Sequence, residues 1–62
     1  SRYISDLRLD RAAKLLGSTE EPVNTVMDSV GYRSRSLFYR EFTEKFGMAP
    51  GEYRKAAAAS RE

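Results

Sequence analysis

The chain has 62 residues, a net charge of +2 and an isoelectric point near 9.2. This length limits it to one small domain, and a chain of this size buries only ~60% of the surface that its unfolded form exposes. The absence of cysteine and histidine excludes disulfides and the common zinc sites, while the mild positive charge permits a nucleic-acid partner without requiring one.

The first predicted element is a helix over residues 3–16, because strong helix formers fill this stretch without Gly or Pro. We expect Gly17 to end the helix as its C′ residue. Asp10 and Lys14 have the spacing of a favourable i,i+4 ion pair.

The apolar residues of this helix fall on two opposite faces at ~100° per residue. One face carries Tyr3, Ile4 and Leu7. The other carries Leu9, Ala12, Ala13 and Leu16. We therefore expect the helix to be contacted from two sides.

A short second helix is predicted over residues 22–30, after a polar connector at residues 18–21. Pro22 suits the first turn of a helix, and Gly31 is expected to end it in the left-handed conformation. Asp28 and Ser29 are predicted to face solvent. The apolar residues at helical spacing are Val23, Val26, Met27 and Val30.

The third helix is predicted over residues 35–46, with Ser34 as its N-cap and Gly47 at its end. Three phenylalanines recur every four residues and indicate a buried stripe. They are Phe38, Phe42 and Phe46. We expect Leu37 to fill the crease with a neighbouring helix, and the opposite side of the helix is polar and basic.

A fourth helix is predicted to start at Pro50, in the first helical position. Met48 and Tyr53 occupy the two positions of a hydrophobic staple. The alanine-rich tail, residues 55–62, can extend this helix but has little to bury, so we expect it to fray or to make incidental contacts.

The two helices joined by a glycine turn, over residues 23–46, are typical of a helix-turn-helix. In that motif a short helix braces a second one, whose outer face contacts base edges. A generic small helical bundle is the alternative, because many bundles share this arrangement. The basic outer face of the second helix favours DNA.

Arg40 lies opposite the phenylalanine stripe and is a candidate for a bidentate contact to guanine or for a phosphate clamp. The alternative for Arg40 is a surface pair with Glu44 at i+4. Arg35, in the first turn, is a better contact candidate than Lys45, for which a pair with Glu41 is the alternative.

Two further residues on this helix have open alternatives. Ser36 could bond a base or phosphate, or be a solvated residue of the first turn. Tyr39 could pack on thymine methyl groups, or cover the edge of the core.

Nothing in the sequence indicates an enzyme. The carboxylate neighbours Asp6 with Asp10 and Glu20 with Glu21 lack an apolar pocket that would raise their pKa values for acid–base chemistry. There is no phosphate-binding glycine loop, so we expect no cofactor. No apolar run approaches the ~20 residues of a membrane helix, so we expect no membrane partner.

The sequence resembles the C-terminal half of the DNA-binding domain of AraC/XylS-type bacterial transcription regulators, over about residues 3–54. The matching residues are Gly31-Tyr32, Phe38, Arg40, Phe42, Phe46-Gly47 and Pro50-x-x-Tyr53-Arg54. The resemblance implies an all-α, homeodomain-like bundle of about four helices that contains a helix-turn-helix. It also implies sequence-specific binding of double-stranded DNA for transcription regulation, in the bacterial cytoplasm with the nucleoid.

The family's domain has two helix-turn-helix units joined by a long helix. On this resemblance, residues 1–17 are the linker helix, residues 18–55 the second unit with its closing helix, and residues 56–62 a tail. Because the chain begins at Ser1, inside a predicted helix, we expect a preceding unit to be missing and to cover Tyr3, Ile4 and Leu7. Whether the full-length protein is a dimer stays open. The alternative function is that of a protein-interaction module, which would contact RNA polymerase or a partner domain.

The resemblance also implies the contact residues. Base contacts would come from Arg35, Ser36, Tyr39 and Arg40. Backbone contacts would come from Arg33, Thr43, Val23 and Asn24. The sequence departs from the family at three positions. Met27 replaces a small alanine, and Thr43 replaces a common lysine. Ala49 replaces a Ser or Thr cap, which is worth ~1 kcal/mol. These departures predict weak affinity through this unit.

Overall fold

The computed structural model describes residues 2–60, with side chains from Ile4 to Ser60, and these residues form four helices. They are α1 (Arg2–Ser18), α2 (Val23–Ser29), α3 (Arg35–Phe46) and α4 (Pro50–Ser60). α1 packs against each of the other three helices. The predicted all-α bundle is confirmed for this part of the chain, whereas the expected contacts of Tyr3 and the end of the tail lie outside it.

The core is built on one face of α1. The predicted inner face of α1 is buried, and α2, the turn and α3 close over it. The buried residues are Leu9, Ala12, Ala13, Leu16, Val26, Met27, Val30, Tyr32, Phe38 and Phe42. On the opposite face Ile4 and Leu7 are each 48% exposed, which confirms that α1 has two apolar faces.

The prediction that Gly17 ends α1 is wrong. The helix continues to Ser18, whose hydroxyl donates to the Lys14 carbonyl oxygen at 2.7 Å. A Cβ built on Gly17 would lie 3.5 Å from Cβ of Ala57 in α4. Gly17 therefore lies where α1 packs closely against α4, and that contact supports the helical conformation.

The predicted ion pair of Asp10 with Lys14 is wrong, and the alternative pair of Lys45 with Glu41 is not formed. Asp10 pairs with Lys45 of α3 at 3.5 Å rather than with Lys14, and Asp6 lies 3.7 Å from the same ammonium. Lys45 consequently does not pair with Glu41, which accepts a hydrogen bond from Tyr32 instead. The physical reason is that α3 crosses close to α1, so that Lys45 reaches two carboxylates at once.

α2 is one residue shorter than predicted at each end, because Pro22 is its N-cap and Val30 its C-cap. Asp28 and Ser29 are exposed, as expected. Gly31 has a φ of +97°, which confirms the left-handed turn after this helix. Its N–H donates to the Asp28 carbonyl oxygen at 3.1 Å.

The bounds and caps of α3 are those predicted. The Ser34 side chain accepts a hydrogen bond from the N–H of Leu37 at 3.2 Å, and Gly47 has a φ of +77°. Phe38 and Phe42 are fully buried, while Phe46 packs against them half-buried. Phe42 also contacts Tyr53 edge-to-face, with ring centroids 5.5 Å apart. The aromatic stripe thus joins α3 to α4.

α4 begins at Pro50, as predicted, and stays helical to Ser60. Glu52 accepts from the N–H of Ala49 at 3.2 Å, which is one half of a capping box. This bond satisfies one N–H at the helix start even though Ala49 has no capping side chain. Ala57 is half-buried against α1, so part of the alanine-rich segment has a packing role.

Candidate nucleic-acid interface

The candidate interface is formed by α3 and the turn that joins it to α2. The turn is closed by the N–H of Tyr32, which donates to the Met27 carbonyl oxygen at 3.1 Å, and by the positive φ of Gly31. Arg8 of α1 lies against this turn, 3.4 Å from the position that a Cβ on Gly31 would occupy. α1, α2 and the turn together hold α3 with its aromatic stripe towards the core.

The predicted site residues of α3 are accessible. Ser36, Arg40 and Thr43 are exposed on the side away from the phenylalanines, and Arg33 is exposed in the turn. Arg35 is exposed at the first helical position, and Tyr39 is half-buried at the edge of the same surface. The structure therefore brings the four predicted base-contact residues onto adjoining parts of one helix.

The guanidinium of Arg40 has no hydrogen bond or ion pair with any described residue. The alternative pair with Glu44 is thus not formed. Arg33 and the hydroxyl of Ser36 likewise have no partner within residues 2–60. These donors are available to a ligand without breaking an internal contact.

Arg35 and Tyr39 contact each other. The guanidinium carbon of Arg35 lies 5.1 Å from the centre of the Tyr39 ring, and Nη2 lies 3.4 Å from the hydroxyl. The Tyr39 ring packs edge-to-face on Phe38, with centroids 6.0 Å apart. Tyr39 therefore covers the edge of the core, one of its two predicted roles, while a thymine contact stays a prediction.

The start of α3 is strongly cationic. Arg35 occupies the first turn, no acidic residue accompanies it there, and Arg33 lies two residues before it. The N-terminus of a helix also carries the positive end of its dipole. These charges add to a local positive potential that attracts an anionic ligand.

A partly buried hydrogen bond joins the turn to α3. Tyr32, 5% exposed, donates from its hydroxyl to Glu41 Oε1 at 2.6 Å. Burial, followed by this bond to Glu41, raises the pKa of Tyr32 to about 12. The contact turns the Glu41 carboxylate towards the core, so that it does not oppose the cations of the outer face.

The predicted backbone contacts in α2 have different accessibility. Asn24 is exposed, whereas Val23 is half-buried and packs against the core. Val23 can therefore contact a ligand through its backbone but not through most of its side chain. Glu20 and Glu21 are exposed just before this helix and would repel a phosphate placed there.

Arg54 has a role that the sequence does not reveal. Its Nε donates to the Leu16 carbonyl oxygen at 3.1 Å, and its Nη2 donates to the Glu21 carbonyl oxygen. It thereby holds the end of α1 and the connector that leads into α2. The only signal in the sequence is the place of Arg54 in the family pattern, because both partners are backbone groups far away along the chain.

Within the described part of the chain, no helix combines the length and the apolar character needed to cross a membrane. No group of acidic residues there is arranged to hold a metal ion.

Comparison with known proteins identifies the kind of domain. A family described as "Helix-turn-helix domain" matches residues 1–56. The chain is 42% identical over 52 residues to the RCS-specific HTH-type transcriptional activator RclR of Escherichia coli K12, over 84% of this chain and 18% of that protein. No solved structure matches the chain.

Two other relatives are also regulators of transcription or of an operon. The virulence regulon transcriptional activator VirF of Shigella flexneri is 38% identical over 84% of this chain and 20% of its own length. The melibiose operon regulatory protein of Escherichia coli K12 is 33% identical over 98% of this chain and 20% of its own length. The chain thus spans about a fifth of the length of these curated relatives.

Proposed function

The chain belongs to the AraC-type family of helix-turn-helix domains, whose function is sequence-specific DNA binding in transcription regulation, and we propose that it performs this function through α3. The observation that carries this proposal is the exposed guanidinium of Arg40, which has no partner among the described residues, together with the exposed side chains of Arg33 and Arg35. Cations that have no carboxylate partner of their own are suited to phosphates and to guanine edges.

In the proposed complex α3 lies in the major groove, which is wide enough to admit a helix. Arg35, Ser36, Tyr39 and Arg40 contact bases. Arg33, Thr43, Val23 and Asn24 contact the DNA backbone. A helix rises ~1.5 Å per residue and DNA ~3.4 Å per base pair. The separation of Arg35 and Arg40 along α3 therefore corresponds to about two base pairs.

We further propose that the chain is the second of two helix-turn-helix units, with α1 as the linker helix. Two observations support this assignment: Ile4 and Leu7 are exposed opposite the core, and the chain covers about a fifth of its relatives. The full-length protein would act in the bacterial cytoplasm, associated with the nucleoid, and as a monomer or a dimer.

Weak, salt-sensitive DNA binding is expected for this unit alone, because half of the contacts of the two-unit domain would be absent and phosphate contacts dominate what remains. Fluorescence anisotropy of the 62-residue chain with several labelled duplexes at low salt tests this. Similar affinity for all duplexes, falling steeply with added salt, supports the proposal. Tight and selective binding by this chain alone contradicts the assignment as one half of a two-unit domain, although DNA binding through α3 would stand.

A second candidate function is docking of RNA polymerase or another protein through the outer face of α3, favoured by the exposed side chains of Arg35 and Arg40, which can contact a protein surface as well as DNA. The double substitution Arg35→Ala with Arg40→Ala in the full-length protein separates the two functions. Loss of DNA binding supports the proposed function. Unchanged DNA binding with reduced activation of transcription supports the docking function instead.

A further inference from the structure

Arg35 is connected to the core through one aromatic ring. The distance of 5.1 Å from its guanidinium carbon to the Tyr39 ring centre is that of a cation–π contact. The separation of 3.4 Å between Nη2 and the hydroxyl is long for a hydrogen bond, so stacking is the main interaction. Since Tyr39 packs on the fully buried Phe38, the ring is a fixed support.

The cation–π contact limits where the guanidinium can lie. A guanidinium has five N–H donors, all in its plane; the contact with the ring face uses none of them, and only Nη2 lies near the Tyr39 hydroxyl. Arg35 can therefore donate two parallel hydrogen bonds outward while it remains on the ring. Part of the side-chain ordering that such a contact requires has already taken place before the ligand binds.

The position of Arg35 is unfavourable for the helix alone. A cation in the first turn opposes the helix dipole, and α3 has no acidic residue there to offset it. Arg33 adds a like charge nearby. A cation that opposes the helix dipole and has no acidic residue beside it in the first turn is a local choice typical of binding sites.

We propose that Tyr39 is a positioning residue that holds Arg35 for bidentate hydrogen bonding to N7 and O6 of one guanine in the major groove. Guanine is the base that presents two acceptors side by side there. A phosphate also accepts hydrogen bonds, but a mobile cation satisfies it, whereas a guanidinium held in one place discriminates between bases. The inference rests on the proposed function, in which α3 enters the major groove.

Binding-site selection from a randomised duplex pool, with the full-length protein, tests this inference. The wild type is compared with Arg35→Ala, Tyr39→Leu and Tyr39→Phe, and affinities are then measured for duplexes that differ at one base pair. We expect the wild type to prefer guanine at one position by roughly tenfold or more. Arg35→Ala and Tyr39→Leu should lose this preference at the same position, while Tyr39→Phe, which keeps the ring, should retain it.

Arg40→Ala is the matched control and should change the preference at a different position. A double variant with Arg35→Ala and Tyr39→Leu should lose no more selectivity than Arg35→Ala alone, because both act on one contact. Circular dichroism checks folding, and Tyr39→Met replaces Tyr39→Leu if the latter does not fold, since methionine adapts to the same contact with Phe38.

Retention of the guanine preference by Tyr39→Leu or Tyr39→Met overturns the positioning role. If Arg35→Ala leaves every base preference intact while Arg40→Ala changes one, the inference fails but DNA binding through α3 stands. If none of the α3 variants changes DNA affinity, the proposed function itself fails.

Discussion

Arg54 of α4 donates from Nε to the carbonyl oxygen of Leu16, 3.1 Å away, and so joins the last helix to the end of the first. Leu16 lies in the last turn of α1, where carbonyl groups lack partners within the helix. The same guanidinium also donates to the carbonyl of Glu21 in the connector. One side chain therefore fixes the path from α1 into α2, which braces α3.

Arg54→Ala should lower the free energy of unfolding by ~2 kcal/mol, because hydrogen bonds that involve a charged group contribute more than neutral ones. Arg54→Lys should recover only part of this loss, since an ammonium does not present the planar fork that spans both carbonyls. Urea unfolding followed by circular dichroism measures both. The exposed neighbour Lys55 supplies the control, and equal midpoints for Arg54→Ala and Lys55→Ala would refute the role of Arg54.

The buried hydroxyl of Tyr32 predicts a loss of stability at alkaline pH. Burial, with the hydrogen bond to Glu41, raises the pKa of Tyr32 from 10.0 to about 12, so the folded chain holds this proton more tightly than the unfolded chain. The stability that results is complete below pH 10 and is lost as the pH rises through 12.

Chemical unfolding of the wild type and of Tyr32→Phe, followed at several pH values, measures this effect. All other side chains are the same in both proteins, so their contributions cancel in the comparison. From pH 10 to pH 12 the wild type should lose more of its unfolding free energy than Tyr32→Phe. Parallel curves for the two proteins would show that the Tyr32 pKa is not raised.

Alanine substitutions at Gly17 and Gly47 should change the free energy of unfolding in opposite directions. Gly17 is helical, and an added Cβ meets only ordinary contact with Ala57, so Gly17→Ala should stabilise by up to ~1 kcal/mol. Gly47 has a φ of +77° with open space around it, so Gly47→Ala should cost about 1–2 kcal/mol through backbone strain alone. Thermal unfolding compares them, and effects of the same sign would disprove the helical assignment of Gly17 or the left-handed one of Gly47.

Lys45 joins α3 to α1 through Asp6 and Asp10, with distances of 3.7 and 3.5 Å. Because the carboxylates are about half exposed, Lys45→Gln should cost less than ~1 kcal/mol, and high salt should reduce this cost. Lys14 forms no ion pair in the described part of the chain and supplies the control. Lys14→Gln should therefore lower the free energy of unfolding by less than Lys45→Gln does. A cost for Lys45→Gln that does not change with salt would show that the ion pairs are not its source.

The parts of the fold that the sequence predicted are those with local causes. The ends of α3 follow from a serine cap, a glycine in the left-handed conformation and a four-residue aromatic spacing. Gly17 was misassigned because its conformation depends on α4, and Lys45 because its partners lie on α1. In both cases a tertiary contact replaced the one that sequence spacing favoured.

The candidate site was predicted in its residues but not in its internal contacts. The exposure of Ser36 and Arg40 follows from their place opposite the buried stripe. The stacking of Arg35 on Tyr39 has i,i+4 spacing, yet it depends on side-chain rotamers that spacing does not determine. The DNA contacts themselves stay predictions.

DNA binding through the outer face of α3 is tested most directly by titrating the isotope-labelled chain with a short duplex at low salt and following the backbone amides by NMR. We expect the largest shift changes at residues 33–43 and at the start of α2, with Leu7 and Arg11 on the outer face of α1 nearly unchanged. Shift changes confined to α1 or α4, with those of α3 unaffected, would contradict the proposed function.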